Sequence, residues 1–115
     1  MRLADVHFRT RGRAIVASLT GEVDLSNAAS IGDALTETVP NHALALVLDL
    51  SGVDYLDSAG IQLLYRLREE LRVRGQVLRL VIPGSSPAND ALRLAGVARH
   101  VDTADTVDGA LGEFA

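Results

Sequence analysis

The run LALVLDL at positions 44–50 constrains the fold more than any other part of the chain, because it is apolar throughout except for Asp49. A strand with one wet face alternates apolar and polar residues. One this apolar needs cover on both faces, as a central parallel strand has. Parallel neighbours in turn require crossovers of about a dozen residues or more, usually helices, and the flanking sequence offers them. Ala28, Ile31, Leu35 and Val39 recur at helical steps, predicting an amphipathic helix with Ser26 as its cap and Pro40 as its stop. Downstream, Ile61, Leu64, Leu67 and Leu71 stripe a helix over 58–74 that Gly75 can end in a left-handed turn. Between strand and helix, SGVDYLD reads as a polar loop. VLRLVI at 77–82 supplies another strand, so strand, helix and strand imply a right-handed parallel crossover.

The remaining segments complete an α/β pattern. Val6 and Phe8 alternate with His7 and Arg9, and RAIVASL follows Gly12, which predicts a hairpin. Ser86 and Pro87 read as a helix start, closed by Gly96. Val101 marks a short edge strand, and Val107, Ala110, Leu111 and Phe114 stripe a C-terminal helix opening near Thr103. The expected architecture is a mixed four- to five-stranded sheet with an antiparallel first strand and about four helices. With 115 residues, one domain spanning 1–115 is the expectation.

Composition narrows the chemistry. The absence of cysteine excludes disulfides, thiolate metal sites and cysteine nucleophiles, and His7, His42 and His100 lack the spacing of metal ligands. Formal net charge is −4 and the basic residues are all arginine, spread along the chain, so direct nucleic-acid binding is not expected. The densest basic stretch, from Arg66 to Arg74, interleaves with Glu69 and Glu70 at helical spacing and reads as a solvated helix face. No apolar run is long enough to span a bilayer, and MRLADVHFRTRGR has no apolar signal region, so a cytoplasmic location without membrane contact is expected.

Candidate functional residues fall in the loops that leave the carboxyl ends of strands, where open α/β sheets gather their sites. GEVDLSN at 21–27 and DLSGVDYLDSAG at 49–60 both bring carboxylates and hydroxyls to that edge. Taken alone, Asp57 with Ser58, and Asp24 with Ser26, also read simply as helix caps, and Asp49 as the end of its strand.

These motifs carry a resemblance. GEVDLSN, followed by LVLDLSGVDYLDSAGIQLL at 46–64, resembles the STAS-domain family, in particular its anti-sigma factor antagonists; D-S-A-G-I at 57–61 is the most specific part. The resemblance implies that Ser58 is the phosphorylated serine and that Asp24 lies beside it at a partner-binding surface with Ser26, Asn27, Asp57, Ala59 and Gly60. It further implies a non-enzymatic switch without cofactor. Its partners would be an anti-sigma factor that is also an ATP-dependent serine kinase, and a phosphoserine phosphatase. Within the same family, a scaffold subunit of a stress-signalling or lipid-transport complex is the alternative. A receiver-type phosphoacceptor using Asp49 is disfavoured because the chain has no lysine, and a serine hydrolase because Leu56, not glycine, stands two residues before Ser58.

Overall fold

Residues 4–115 are described in the computed structural model, where the apolar run at 44–50 enters the middle of a five-stranded sheet. The chain order is β1 (Asp5–Arg11), β2 (Ala14–Val23), α1 (Ala28–Thr38), β3 (Ala45–Leu56), α2 (Ser58–Val73), β4 (Val77–Val81), α3 (Asn89–Leu94), β5 (Asp102–Ala104) and α4 (Val107–Leu111). The strands lie side by side in sequence order. β1 pairs antiparallel with β2, and every other pairing is parallel.

Alternation along β2 and β3 feeds two cores. Ile15, Ala17, Leu19, Leu46, Leu48 and Leu50 face the side covered by α1, α2 and α3. Ala14, Val16, Ala45 and Val47 face the other, where Ala110 and Leu111 of α4 cover them. The two-sided cover is why the central run lacks polar alternation. Each fully buried leucine of β3 contributes about 1.5–3 kcal/mol. Because the strands advance across the sheet in one direction, right-handed crossovers place α1, α2 and α3 on one face. Among the described residues, α4 and Phe114 just after it pack on the opposite face.

The predicted polar loop at 51–57 is instead strand as far as Leu56. Two irregularities explain the difference. Ser18 pairs with Asp49 and Thr20 with Gly52, then Gly21 pairs with Val53 and Glu22 with Tyr55, so β3 twice takes one residue more than β2. Each extra residue reverses the alternation. Val53 and Leu56 consequently enter the same core as Leu50, although a regular strand would place Val53 on the opposite face.

Three helix starts also differ from expectation. Asn27, not Ser26, occupies the cap position of α1. α3 begins after Pro87, with Ala88 in the cap position and no side-chain cap. Thr103, the expected opening of the C-terminal helix, lies in β5; Thr106 caps α4 instead by accepting from the Gly109 N–H at 3.0 Å. Phe114 lies in the 3-10 turn that follows. At the far end of α2, Gly75 adopts a left-handed φ of 73°, as expected of a glycine terminator.

Candidate partner-binding site

The start of α2 is built around Asp57. Its Oδ1 accepts from the N–H groups of Ala59 at 2.9 Å and Gly60 at 3.2 Å, which satisfies two of the donors that a helix N-terminus leaves without partners. The cap reading of Asp57 is therefore right, and it leaves Ser58 unencumbered. Ser58 is the first residue of α2, is exposed, and makes no side-chain hydrogen bond to the described residues. Ala59 is half-buried and Gly60 buried. Gly60 is needed for packing and not for its dihedral angles: a Cβ there would run into Leu56 Cδ1 and sit 2.8 Å from Leu56 Cγ and 3.3 Å from Val23 Cγ1.

The neighbouring loop is tied by its own side chains. Asp24 Oδ1 accepts from the Ser26 N–H at 2.9 Å and from the Ser26 hydroxyl, closing a tight turn. Asn27 Oδ1 accepts from the Asp24 N–H at 3.0 Å, and its Nδ2 donates to the Glu22 carbonyl at 2.8 Å. Neither Asp24 nor Ser26 is the helix cap. Both shape the turn, and Asn27 spends its side chain holding that turn to the end of β2.

The sheet brings the two loops together. Val23 pairs with Leu56, and one residue on, the Asp57 N–H donates to the Val23 carbonyl at 3.3 Å. Asp24, Ser26 and Asn27 thereby share one edge with Asp57, Ser58, Ala59 and Gly60. Asp49 lies apart from them, within β3 and not at its end; its Oδ1 accepts from the Ser51 N–H at 3.0 Å beside the first irregularity.

The surface extends past the residues singled out from the sequence. Leu25 is 84% exposed at the tip of the turn, and Tyr55 is 51% exposed. Leu25, Ala28, Ala59 and Leu63 help line a largely apolar groove of about 400 Å³ between α1 and α2. Arg66 stands at its side, bonded to Asp33 of α1 and Glu70 of α2 at 2.8 Å each. Those bonds, Glu70 first and Asp33 second, raise the guanidinium pKa and fix its charge there. Nothing in the residues marks Leu25 as exposed: it continues the alternation of Val23 and stands three residues before Ala28, so it reads as one more core position.

Among the described residues, no group of three His, Cys, Asp or Glu side chains is placed to hold a metal ion, and no helix is long and apolar enough to cross a membrane.

Comparison with known proteins accounts for the architecture. The family model for the STAS domain matches residues 5–110. A Mycobacterium tuberculosis protein named anti-sigma-F factor antagonist RsfB is 33% identical over 97 residues, covering 84% of this chain and 77% of its own. The crystal structure of an anti-sigma factor antagonist from Mycobacterium paratuberculosis superposes with a TM-score of 0.84 at 26% identity, over 97% of this chain and 94% of that one. The Bacillus cell fate determinant SpoIIAA, solved in its phosphorylated form, shares the fold at 17% identity with a TM-score of 0.63, over 94% of this chain and 97% of its own. The match from β1 into α4, together with the RsfB identity, shows that this chain belongs to the STAS domain family.

Proposed function

We propose that the chain, acting as one STAS domain over 1–115, is a cytoplasmic anti-sigma factor antagonist. Unphosphorylated, it binds an anti-sigma factor that is also a serine kinase, through the edge formed by Asp24, Ser26, Asn27, Asp57, Ser58, Ala59 and Gly60. Transfer of phosphate from ATP to Ser58 ends the binding, and a phosphoserine phosphatase restores it. The chain is substrate and ligand in this cycle, not catalyst. The observation that carries the reading is the exposed Ser58 hydroxyl at the first residue of α2, left free by an Asp57 cap and set beside the Asp24 turn. The name of the RsfB relative supports the antagonist role.

Physical chemistry favours a switch by exclusion over one by rearrangement. A phosphoserine carries about −1.5 to −2 charges, which the start of α2 tolerates because a helix N-terminus favours anions by about 0.3–1 kcal/mol. The fold therefore survives. A partner carboxylate about 6 Å from the dianion is repelled by about 1.4 kcal/mol even in a water-like dielectric, roughly a tenfold loss of affinity. Burial of the dianion at an interface without an arginine costs several kcal/mol more.

Two measurements test the proposal. Intact-mass analysis and phosphosite mapping of the protein from its native host are expected to find phosphate on Ser58 that varies with growth condition; its absence in every condition points to the scaffold role. In pull-downs from the same host, Ser58→Ala is expected to retain a small ATP-binding kinase and Ser58→Glu to lose it by about tenfold or more. Equal retention by both variants overturns the switch.

A further inference from the structure

The sheet has one place where neighbouring parallel strands send their onward connections to opposite faces. After β2, β3 and β4 the chain turns to the face of α1, α2 and α3, whereas after β5 it turns to the face of α4. Where connections part in this way, a crevice opens at the carboxyl ends of the strands, and ligands of open α/β sheets bind there. Such a crevice exists here. A cleft of about 420 Å³ lies between the ends of β4 and β5 and the body of α3, within the size range of small-molecule sites.

Its lining is chemically particular. Ile82 and Ala98 give it accessible apolar surface, backed by the buried Leu92 and Val97. Arg99 and Asp105 supply opposite charges, and neither forms an ion pair with the described residues; Asn89 and Thr103 add a carboxamide and a hydroxyl that also lack side-chain partners there. The Arg99 side chain folds back along Gly96, with Cδ 3.7 Å and Nε 3.9 Å from where a Cβ would stand, so its stem lies against a residue that lines the cleft. Arg93, also in the lining, is already engaged by Asp90 at 3.0 Å. A plain anion would satisfy Arg99 but face Asp105, and a plain cation would do the reverse. A ligand with both charges and an apolar side chain satisfies the whole lining.

We propose that this crevice is a binding site for a small zwitterion with an apolar side chain, of the class of the apolar α-amino acids. The carboxylate goes to Arg99, the ammonium to Asp105, and the side chain to the apolar surface of Ile82 and Ala98. The site is separate from the Ser58 edge, and the inference does not depend on the partner-switching proposal.

The test is titration of the full chain with L-leucine, L-methionine and L-phenylalanine, followed by backbone amide chemical shifts. At least one is expected to give saturable shifts at Gly84, Gly96 and Thr103 while Ser58 to Gly60 stay still. Arg99→Ala and Asp105→Asn, both at exposed positions, are each expected to weaken that binding about tenfold or more. The deaminated analogue, 4-methylpentanoate for leucine, should lose a comparable amount. No saturable shift with any of the three amino acids overturns the site. Binding that ignores both substitutions, or an analogue that binds as tightly as its amino acid, overturns the zwitterion assignment.

Discussion

The two halves of the sheet's carboxyl edge are put together in contrasting ways. At β2 and β3 the strands run on side by side to Val23 and Leu56, and the loops above them are laced by the Asp24 turn, the Asn27 side chain and the Asp57 cap. At β4 and β5 the last paired residues are Val81 and Ala104, α3 starts with no side-chain cap, and the Ser86 hydroxyl is buried with no partner among the described residues. A Cβ at Gly60 would collide with Leu56, whereas one at Gly84 would meet nothing within 4 Å. The first half presents a laced ledge, with the α1–α2 groove beside it, suited to a protein partner. The second leaves an open crevice suited to a small molecule. One fold supports both because the direction of the connections differs while the strands themselves continue the same ladder.

The largest expected effect tests whether the ledge rests on the extension of β3. Leu56 is 7% exposed and supports both Val23 and the start of α2. Leu56→Ala is expected to cost about 2–5 kcal/mol in denaturant unfolding. Gly60→Ala alone should cost about 1–3 kcal/mol by overpacking, and less in the Leu56→Ala background, where the obstructing atoms are gone. Additive costs in the double variant would mean that the two residues do not share a contact, and the contrast between the halves would lose its packing basis.

A smaller effect isolates the cap. Asp57→Ala removes the acceptor for the Ala59 and Gly60 N–H groups and is expected to cost about 1 kcal/mol, a fall in Tm of about 4 °C for a domain of this size. The hydrogen exchange of those two amides should accelerate while that of the α3 amides stays the same. Equal acceleration at both ends of the edge would show that its halves open together, against the separation argued above.

Much of this arrangement was readable from the residues. The apolar run at 44–50, the leucine stripe of α2 and Gly75 each express a single physical requirement, and the structure meets each. The DSAG segment points to a partner edge through resemblance alone, because locally Asp57 looks like any cap, and a cap is what the structure shows it to be. The extension of β3 was not readable: two extra residues break the alternation that marks a strand, and Ser51, Asp54 and Tyr55 then resemble a loop. Ser26 was mistaken for a cap because a serine before an apolar stripe has two ways to use its hydroxyl, and Asp24 claims it here. Leu25 and the α1–α2 groove were missed because exposure is a property of the assembled surface and not of the residue.

The smallest effect is the most direct probe of the looser half. A buried hydroxyl without a partner gives up its bonds to water for nothing in return, so its removal is close to neutral or slightly stabilising, whereas loss of a bonded one costs about 1 kcal/mol. Ser86 Oγ is such a group, three residues before a helix that takes no cap from it. Ser86→Ala is therefore expected to shift stability by no more than about 0.5 kcal/mol, in the same unfolding experiment in which Asp57→Ala costs about twice that. A cost for Ser86→Ala equal to that of Asp57→Ala would mean that the β4–α3 connection is fastened through Ser86 after all, and the two halves of the edge would no longer differ in how they are held.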